Sequence, residues 1–221
     1  MSRRLKRDFL QTMLYNNLSG YFRKKYGQRL KKICIDGSFS CPNRDGKCGT
    51  GGCIYCGERG AGEHINPTLS ISEQVSKALE GANPTEKFIA YFQNFSNTYA
   101  PVSILKERYD AALVDKRIVA LAIGTRPDCL DEEKVRLIAE YKKLVDVWVE
   151  LGLQTSNDKT AEVINRGYGK EAFESAVSLL KKYDIPIVAH MIIGLPGENK
   201  SDALNTAKYI SSFNEYLRRQ R

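Results

Sequence analysis

Cys41-Pro-Asn-Arg-Asp-Gly-Lys-Cys48-Gly-Thr-Gly-Gly-Cys53-Ile-Tyr-Cys56 is a polar, glycine-rich stretch that carries four of the chain's six cysteines. Thiolates at this spacing, with glycines that let the backbone fold around an ion, meet the ligand needs of zinc or of an iron-sulfur cluster. The spacing alone leaves both open. A zinc ribbon shows two close cysteine pairs, whereas the one close pair here is Cys53/Cys56, preceded by the single residues Cys48 and Cys41. Directly upstream, the apolar run Ile33-Cys34-Ile35 reads as a first buried strand, so the loop begins where a strand ends.

The frame around this loop is that of one globular domain: 221 residues, 42% apolar and 27% charged. The N-terminus has no apolar core of signal-peptide length, and no run approaches membrane-spanning length. Six cysteines in such a chain point to the reducing cytoplasm and to metal or cluster ligation rather than a disulfide framework. The net charge of +8 is concentrated at one end, since residues 1–32 hold ten Lys and Arg against the single acid Asp8. Arg3, Arg4, Lys6 and Arg7 begin this arm, and Tyr15, Tyr21, Phe22 and Tyr26 are interleaved with its cations. Cations that offset phosphate charge beside rings that stack on bases suit RNA, although a solvated surface has the same composition.

Strands and helices alternate along the rest of the chain. Residues 7–20 read as a weak helix packing outside the main fold, and Gly20 and Gly27 interrupt the stretch after it. Expected strands are residues 32–36, 88–92, 118–123, 145–151 and 187–193. Expected helices are 70–81 (Ser70 or Ser72 as N-cap), 101–114, 131–144, 170–183 and 201–217. Each strand end carries a polar or glycine-rich motif: Gln93-Asn94-Phe95-Ser96-Asn97 after the second, Gly124-Thr125-Arg126-Pro127-Asp128 after the third, Gly152-Leu153-Gln154-Thr155 after the fourth, and Gly194-Leu195-Pro196-Gly197-Glu198 after the fifth. Parallel strands joined by helices gather such ends on one face, where a barrel places its chemistry. Glu150 interrupts the apolar run of the fourth strand, and a carboxylate costly to bury without a partner is a site candidate. Glu63 and His64, after the cysteine loop, lie within reach of a ligand there. Cys34 and Cys129 read as small buried apolar residues.

The cysteine loop resembles that of the radical S-adenosylmethionine (SAM) enzymes, which carry C-x3-C-x-aromatic-C after the first barrel strand. The eleven residues between Cys41 and Cys53 depart from that spacing and resemble the YhcC/YtqA-like subgroup related to the Elongator catalytic subunit, with its C-P-N-R-D-G…G-T-G-G-C-x-[FY]-C loop. The segment Tyr91–Tyr99, Thr125-Arg126-Pro127-Asp128, Glu150–Thr155 and Gly194–Glu198 are similar to motifs of the same subgroup. The resemblance implies a partial (β/α) barrel with five parallel strand-helix units of an expected six, over residues 32–217. A basic helical extension, residues 1–31, precedes it, and a basic tail, residues 218–221, follows. It further implies a 4Fe-4S cluster on Cys41, Cys53 and Cys56, with Cys48 left out. S-adenosylmethionine would be contacted by Tyr55, Gln93, Glu150, Gln154, Arg166, Gly194, Leu195 and Pro196, with the Arg166 guanidinium on the methionine carboxylate. Arg126 and Asn97 are implied substrate or phosphate contacts, together with Arg3, Arg4, Lys6 and Arg7. The implied activity is reductive cleavage of S-adenosylmethionine to a 5'-deoxyadenosyl radical, used on a tRNA wobble uridine. The alternatives are a small metabolite or protein substrate, a zinc-stabilised RNA-binding module, or an inactive remnant. A flavodoxin or ferredoxin would supply electrons. The family's barrel continues beyond the length present here, so a C-terminally shortened barrel is expected. Where the family often has an acid for ribose hydroxyls, this sequence has Gly124, and a Gly-Gly-Glu segment is also missing.

Overall fold

The computed structural model describes residues 17–60, 65 and 68–213. Five strands, β1 (Lys31–Ile35), β2 (Phe88–Phe92), β3 (Ile118–Thr125), β4 (Asp146–Gln154) and β5 (Ile187–Met191), form one parallel sheet in sequential order. The helices are α1 (Leu18–Tyr26), α2 (Ile71–Ala78), α3 (Val102–Ala112), α4 (Glu132–Tyr141), α5 (Asp158–Val163), α6 (Lys170–Lys182) and α7 (Lys200–Ser212). Strands in sequential order, each joined to the next through helix, give the topology of a partial barrel. All five expected strands and five expected helices are present.

The side-chain period of two divides the sheet into unlike faces. Ile33, Ile35, Ala90, Phe92, Leu121, Ile123, Val147, Val149 and Leu151 point to one face and pack with Val75, Leu105, Tyr109, Ile138, Phe173 and Leu180 of the helices. Burying each large apolar side chain contributes about 1.5–3 kcal/mol, so this layer dominates the stability of the fold. The helices start where the sequence supplies caps. Ser70 and Glu73 form a reciprocal capping box before α2, and Asp131 accepts the Lys134 N–H before α4.

Three expectations need correction. The weak helix expected over residues 7–20 lies largely outside the described residues, but in the described part of the N-terminal extension α1 packs on the sheet rather than outside it. Phe22 of α1 is buried on the sheet's second face against Ile89, Tyr91, Ala120, Ala122 and Trp148. Tyr26 donates to Asp146 at the start of β4, and Lys25 pairs with the same carboxylate at 2.6 Å. Thus α1 closes the N-terminal end of that face. Gly20 sits within the helix, and Gly27 ends it in the left-handed region, φ 72°. Second, Cys34 is exposed, because its neighbours Ile33 and Ile35 take the helix-covered face and alternation turns it the other way; Cys129 is buried as expected. Third, β3 and β4 run past the glycines read as strand ends, since Gly124 pairs with Glu150 and Gly152 with His190 in the ladder. The short α5, capped by Asn157, has no counterpart in the expected elements. Among the described residues no helix is long and apolar enough to cross a membrane.

Candidate functional site

The C-terminal ends of the strands converge with the cysteine loop. Within it, Arg44 and Asp45 N–H donate to the Cys41 carbonyl at 2.8 and 3.2 Å, and Cys56 N–H to the Cys53 carbonyl at 3.0 Å. Gly52 adopts φ 78°, and a Cβ there would lie 2.8 Å from the Arg44 Nε, so the turn requires glycine. The Arg44 guanidinium gathers the far end of the loop by donating to the carbonyls of Glu58 at 2.9 Å and Gly57 at 2.6 Å.

The floor of the loop is the segment after α5. Ile54 N–H donates to the Ile164 carbonyl at 3.1 Å, and Asn165 Nδ2 to the Gly52 carbonyl at 2.8 Å. Asn43 Nδ2 reaches both the Asn165 carbonyl, at 2.6 Å, and the Cys53 sulfur, at 3.6 Å. Gly167 has φ 76°, and a Cβ would meet the Asn43 Oδ1 at 3.1 Å. Two arginines stiffen this floor. Arg126 forms a two-pronged pair with Asp128 and donates to the Arg166 carbonyl at 2.9 Å. Arg166 is fully buried and donates to the carbonyls of Thr155 at 2.7 Å and Tyr168 at 3.0 Å. Both guanidinium carbons stand 4.7 Å from the Tyr168 ring centre.

The thiols are not equivalent. Cys53 is held below the usual thiol range, first by the Cys56 thiol that donates to it, then by the Tyr55 hydroxyl and the Asn43 amide. Cys56 is pushed up by the same shared proton and by burial, and it feels the charge of Cys41. Cys48 is exposed, and its electrostatic neighbour is Tyr99. Among the described residues no three His, Cys, Asp or Glu side chains converge as a ready-made ion cage. The donor set nevertheless fits a thiolate-ligated group, with two thiols in hydrogen-bond contact and a third beside them.

Buried polar atoms without partners gather at the same end. Of the five such atoms among the described residues, Asn94 Oδ1, Ser96 Oγ, Asn97 Oδ1 and Arg166 Nη2 are here, and the fifth, Ser19 Oγ, is on α1. Buried polar groups of this kind call for a ligand or water. Asn97 ties β2 to β3, donating to the carbonyls of Phe92 at 3.1 Å and Gly124 at 2.6 Å. Gln93 follows β2, its N–H directed to the Ile35 carbonyl at 3.4 Å. Gln154 ends β4 at φ 61°, its Oε1 3.0 Å from the Tyr168 hydroxyl. The Gly194-Leu195-Pro196-Gly197 turn has φ 88° and 79° at its glycines and buries Leu195. It is tethered to β4 by Thr155, whose hydroxyl donates to the Glu198 carboxylate. Arg3, Arg4, Lys6, Arg7, Glu63 and His64 lie outside the described residues.

Glu150 differs from the other candidates. Its carboxylate lies on the second face of the sheet and receives Trp148 Nε1 at 2.9 Å, the Tyr91 hydroxyl at 3.0 Å and His190 Nε2 at 2.6 Å, with Lys32 Nζ at 3.7 Å. Three hydrogen-bond partners and the ion pair with Lys32 hold this carboxylate among side chains of the sheet's second face. Lys32 and His190 were absent from the sequence candidates. Alternation in β1 and β5 places both on the face of Glu150, a signal readable only once that face is known.

A parallel sheet of a partial barrel, with the cysteine loop and buried polar atoms at its C-terminal edge, defines an α/β scaffold whose candidate site lies at the strand ends. The chain belongs to the Radical SAM superfamily, whose sequence profile matches residues 45–210. Protein YhcC of Escherichia coli K12 is 37% identical over 198 residues, covering 89% of this chain and 64% of that protein. The tRNA-2-methylthio-N(6)-dimethylallyladenosine synthase of Sulfurihydrogenibium is 31% identical over 86 residues, 38% of this chain and 20% of that protein. In fold, the chain is similar to the archaeal Elp3 of Methanocaldococcus infernus, with TM-score 0.57 at 18% identity, covering 82% of this chain and 42% of that one. The chain thus spans less than two thirds of the length of the curated relatives it matches.

Proposed function

We propose that this chain is the catalytic part of a radical SAM enzyme that modifies a uridine in tRNA. The observation that carries the reading is the stitching of the cysteine loop onto residues 164–168 through Asn43, Asn165 and Ile54, which brings Cys53 beside the ends of β3 and β4. Cys41, Cys53 and Cys56 would hold a 4Fe-4S cluster. When bound, the cluster supplies one electron for reductive cleavage of S-adenosylmethionine. The protein's own groups orient and shield. Gln154 and the Gly194-Leu195-Pro196 turn line the strand ends where the cofactor would lie, with Tyr55 beside Cys53. Arg166 Nη2 is the guanidinium nitrogen left to meet a carboxylate.

The tRNA assignment rests on the basic residues 1–32, on exposed Lys24, Lys25 and Arg29 in the described part of that arm, and on the local similarity to a tRNA-modifying synthase. A flavodoxin or ferredoxin in the cytoplasm would be the electron donor.

Anaerobic reconstitution with iron and sulfide tests the chemistry. About four irons per chain, and 5'-deoxyadenosine released with dithionite and S-adenosylmethionine, are expected. Cys48→Ala keeps the iron, and Cys53→Ala loses it. Stoichiometric zinc that is lost in Cys48→Ala would replace this reading with a four-cysteine binding module. For the substrate, neutralising Arg3, Arg4, Lys6 and Arg7 should weaken tRNA binding and flatten its salt dependence in a filter-binding assay. Unchanged binding would remove the nucleic-acid assignment.

A further inference from the structure

The end of β4 carries an amide for which its neighbours build a seat. Trp148 and Glu150 point to the second face of the sheet, so alternation puts Gly152 next on that face. A Cβ at Gly152 would lie 2.5 Å from Gln154 Nε2 and 3.3 Å from the Tyr168 hydroxyl. The room left by the missing side chain is thus taken by the Gln154 amide, folded back over its own strand. Two backbone features turn it there. The ladder to β5 passes from Gly152–His190 to Gln154–Met191, a shift of register that leaves Leu153 out of the pairing. Gln154 itself takes φ 61°, a left-handed conformation that a residue with a side chain keeps only where its surroundings hold it.

Tyr168 supplies that hold. Its hydroxyl donates to the Gly152 carbonyl at 2.7 Å and lies 3.0 Å from Gln154 Oε1, so two acceptors share the one O–H proton. Burial keeps the hydroxyl well above the ordinary tyrosine range against the charges of Arg166 and Arg126, and the proton stays in place. With Oε1 engaged, Nε2 and its two N–H donors are left for a ligand. The same residue also holds Arg166: the Tyr168 carbonyl accepts from Arg166 Nε at 3.0 Å, and the ring centre stands 4.7 Å from the guanidinium carbon. Arg166 Nη2 is buried without a partner among the described residues. One tyrosine therefore fixes both the Gln154 amide and the Arg166 guanidinium.

We propose that Tyr168, with the gap at Gly152, is a positioning residue for the amino-acid end of S-adenosylmethionine, setting Gln154 Nε2 and Arg166 Nη2 as donors to the methionine carboxylate. The inference rests on the cofactor reading above and deepens it by naming what holds its contacts. A carboxylate has acceptor positions for both donors, and the one from arginine is charge-assisted. Tyr168 acts through Gln154 and Arg166, so its effect falls on the amino-acid end of the ligand and not on the adenosine.

Two probes that are not cleaved separate the halves of the ligand: S-adenosylhomocysteine carries the amino-acid end, and 5'-methylthioadenosine lacks it. Tyr168→Phe keeps the ring beside the guanidinium groups and removes only the hydroxyl. In calorimetric titrations of the full chain, reconstituted anaerobically with iron and sulfide, it should weaken S-adenosylhomocysteine about tenfold and leave 5'-methylthioadenosine unchanged. Gly152→Ala should do the same by filling the seat of the amide. In a Gln154→Ala background, Tyr168→Phe should cost nothing further, because the group it holds is gone. That cycle decides even if Gly152→Ala fails to fold. Unchanged binding, additive losses or equal weakening of both probes overturns the positioning role. A second readout needs neither cluster nor ligand. The chain has six glutamines, and with 15N-labelled glutamine the side-chain NH2 pair lost in Gln154→Glu identifies Gln154 by NMR. That pair should shift in Tyr168→Phe, and an unmoved pair overturns the hold. A parent that keeps its iron yet binds neither probe overturns the cofactor reading instead, whatever the NMR shows.

Discussion

Asn43 joins segments 122 residues apart with one amide, donating to the Asn165 carbonyl while touching the Cys53 sulfur. Removing it leaves a partly buried carbonyl unpaired and frees the close cysteine pair from its floor. Asn43→Ala is expected to cost about 1–3 kcal/mol in urea unfolding and to lower iron retention after reconstitution; a variant as stable as the parent would show that the stitch is incidental. Glu150 offers a second residue-scale test. Burial works to raise its carboxyl, but hydrogen bonds from His190 and Trp148 and the charge of Lys32 overcome it, holding the group at about 2 against an ordinary 4.5. A folded value below the unfolded one stabilises the fold fully above pH 4.5, and the gain is lost as pH falls toward 2. The gain is about 3 kcal/mol, so the stability gap between the parent and Glu150→Gln should shrink by that order between pH 7 and pH 2–3. A gap independent of pH would contradict the carboxylate's role.

Among the elements, β3 sets what its neighbours can reach. Its small residues on the second face leave the space through which Tyr91 meets Glu150, and a Cβ at Gly124 would already stand 3.1 Å from the Phe92 carbonyl oxygen. Gly124→Val is expected to destabilise by about 1–3 kcal/mol and to separate Tyr91 from Glu150, read as a fall in the Tyr91 hydroxyl's pKa by ultraviolet titration. Burial first, then the Glu150 charge and hydrogen bond, hold that hydroxyl well above the ordinary tyrosine range. The glycine read as a strand end from sequence is thus a ladder residue whose missing side chain is used. The segment after α5 shows the complementary case. Its Arg166 is a cofactor contact expected from the resemblance alone, and the segment's use as the floor of a loop more than a hundred residues earlier arises from pairings that no local pattern encodes.

Across the whole molecule, α1 seals the N-terminal end of the sheet's second face. Phe22, 4% exposed, packs its ring 6.0 Å from that of Trp148, and Tyr26 and Lys25 close on Asp146. Phe22→Ala is expected to cost about 3 kcal/mol and to lower the melting temperature measured by circular dichroism. A neutral outcome would mean that the helix only rests on the sheet. The basic arm therefore enters the fold through an aromatic anchor while Lys24 and Arg29 stay at the surface.

Strand order, helix positions, the cysteine loop and its family were legible in the sequence, because hydrophobic period, caps and ligand spacing are local properties. Only the tertiary structure decided where α1 packs, that Cys34 is exposed, and that Glu150 belongs with Lys32, Tyr91 and His190. Those four residues come from four strands, and a side chain's surroundings across a sheet depend on curvature, register and the size of the residues between, which no single stretch of chain contains.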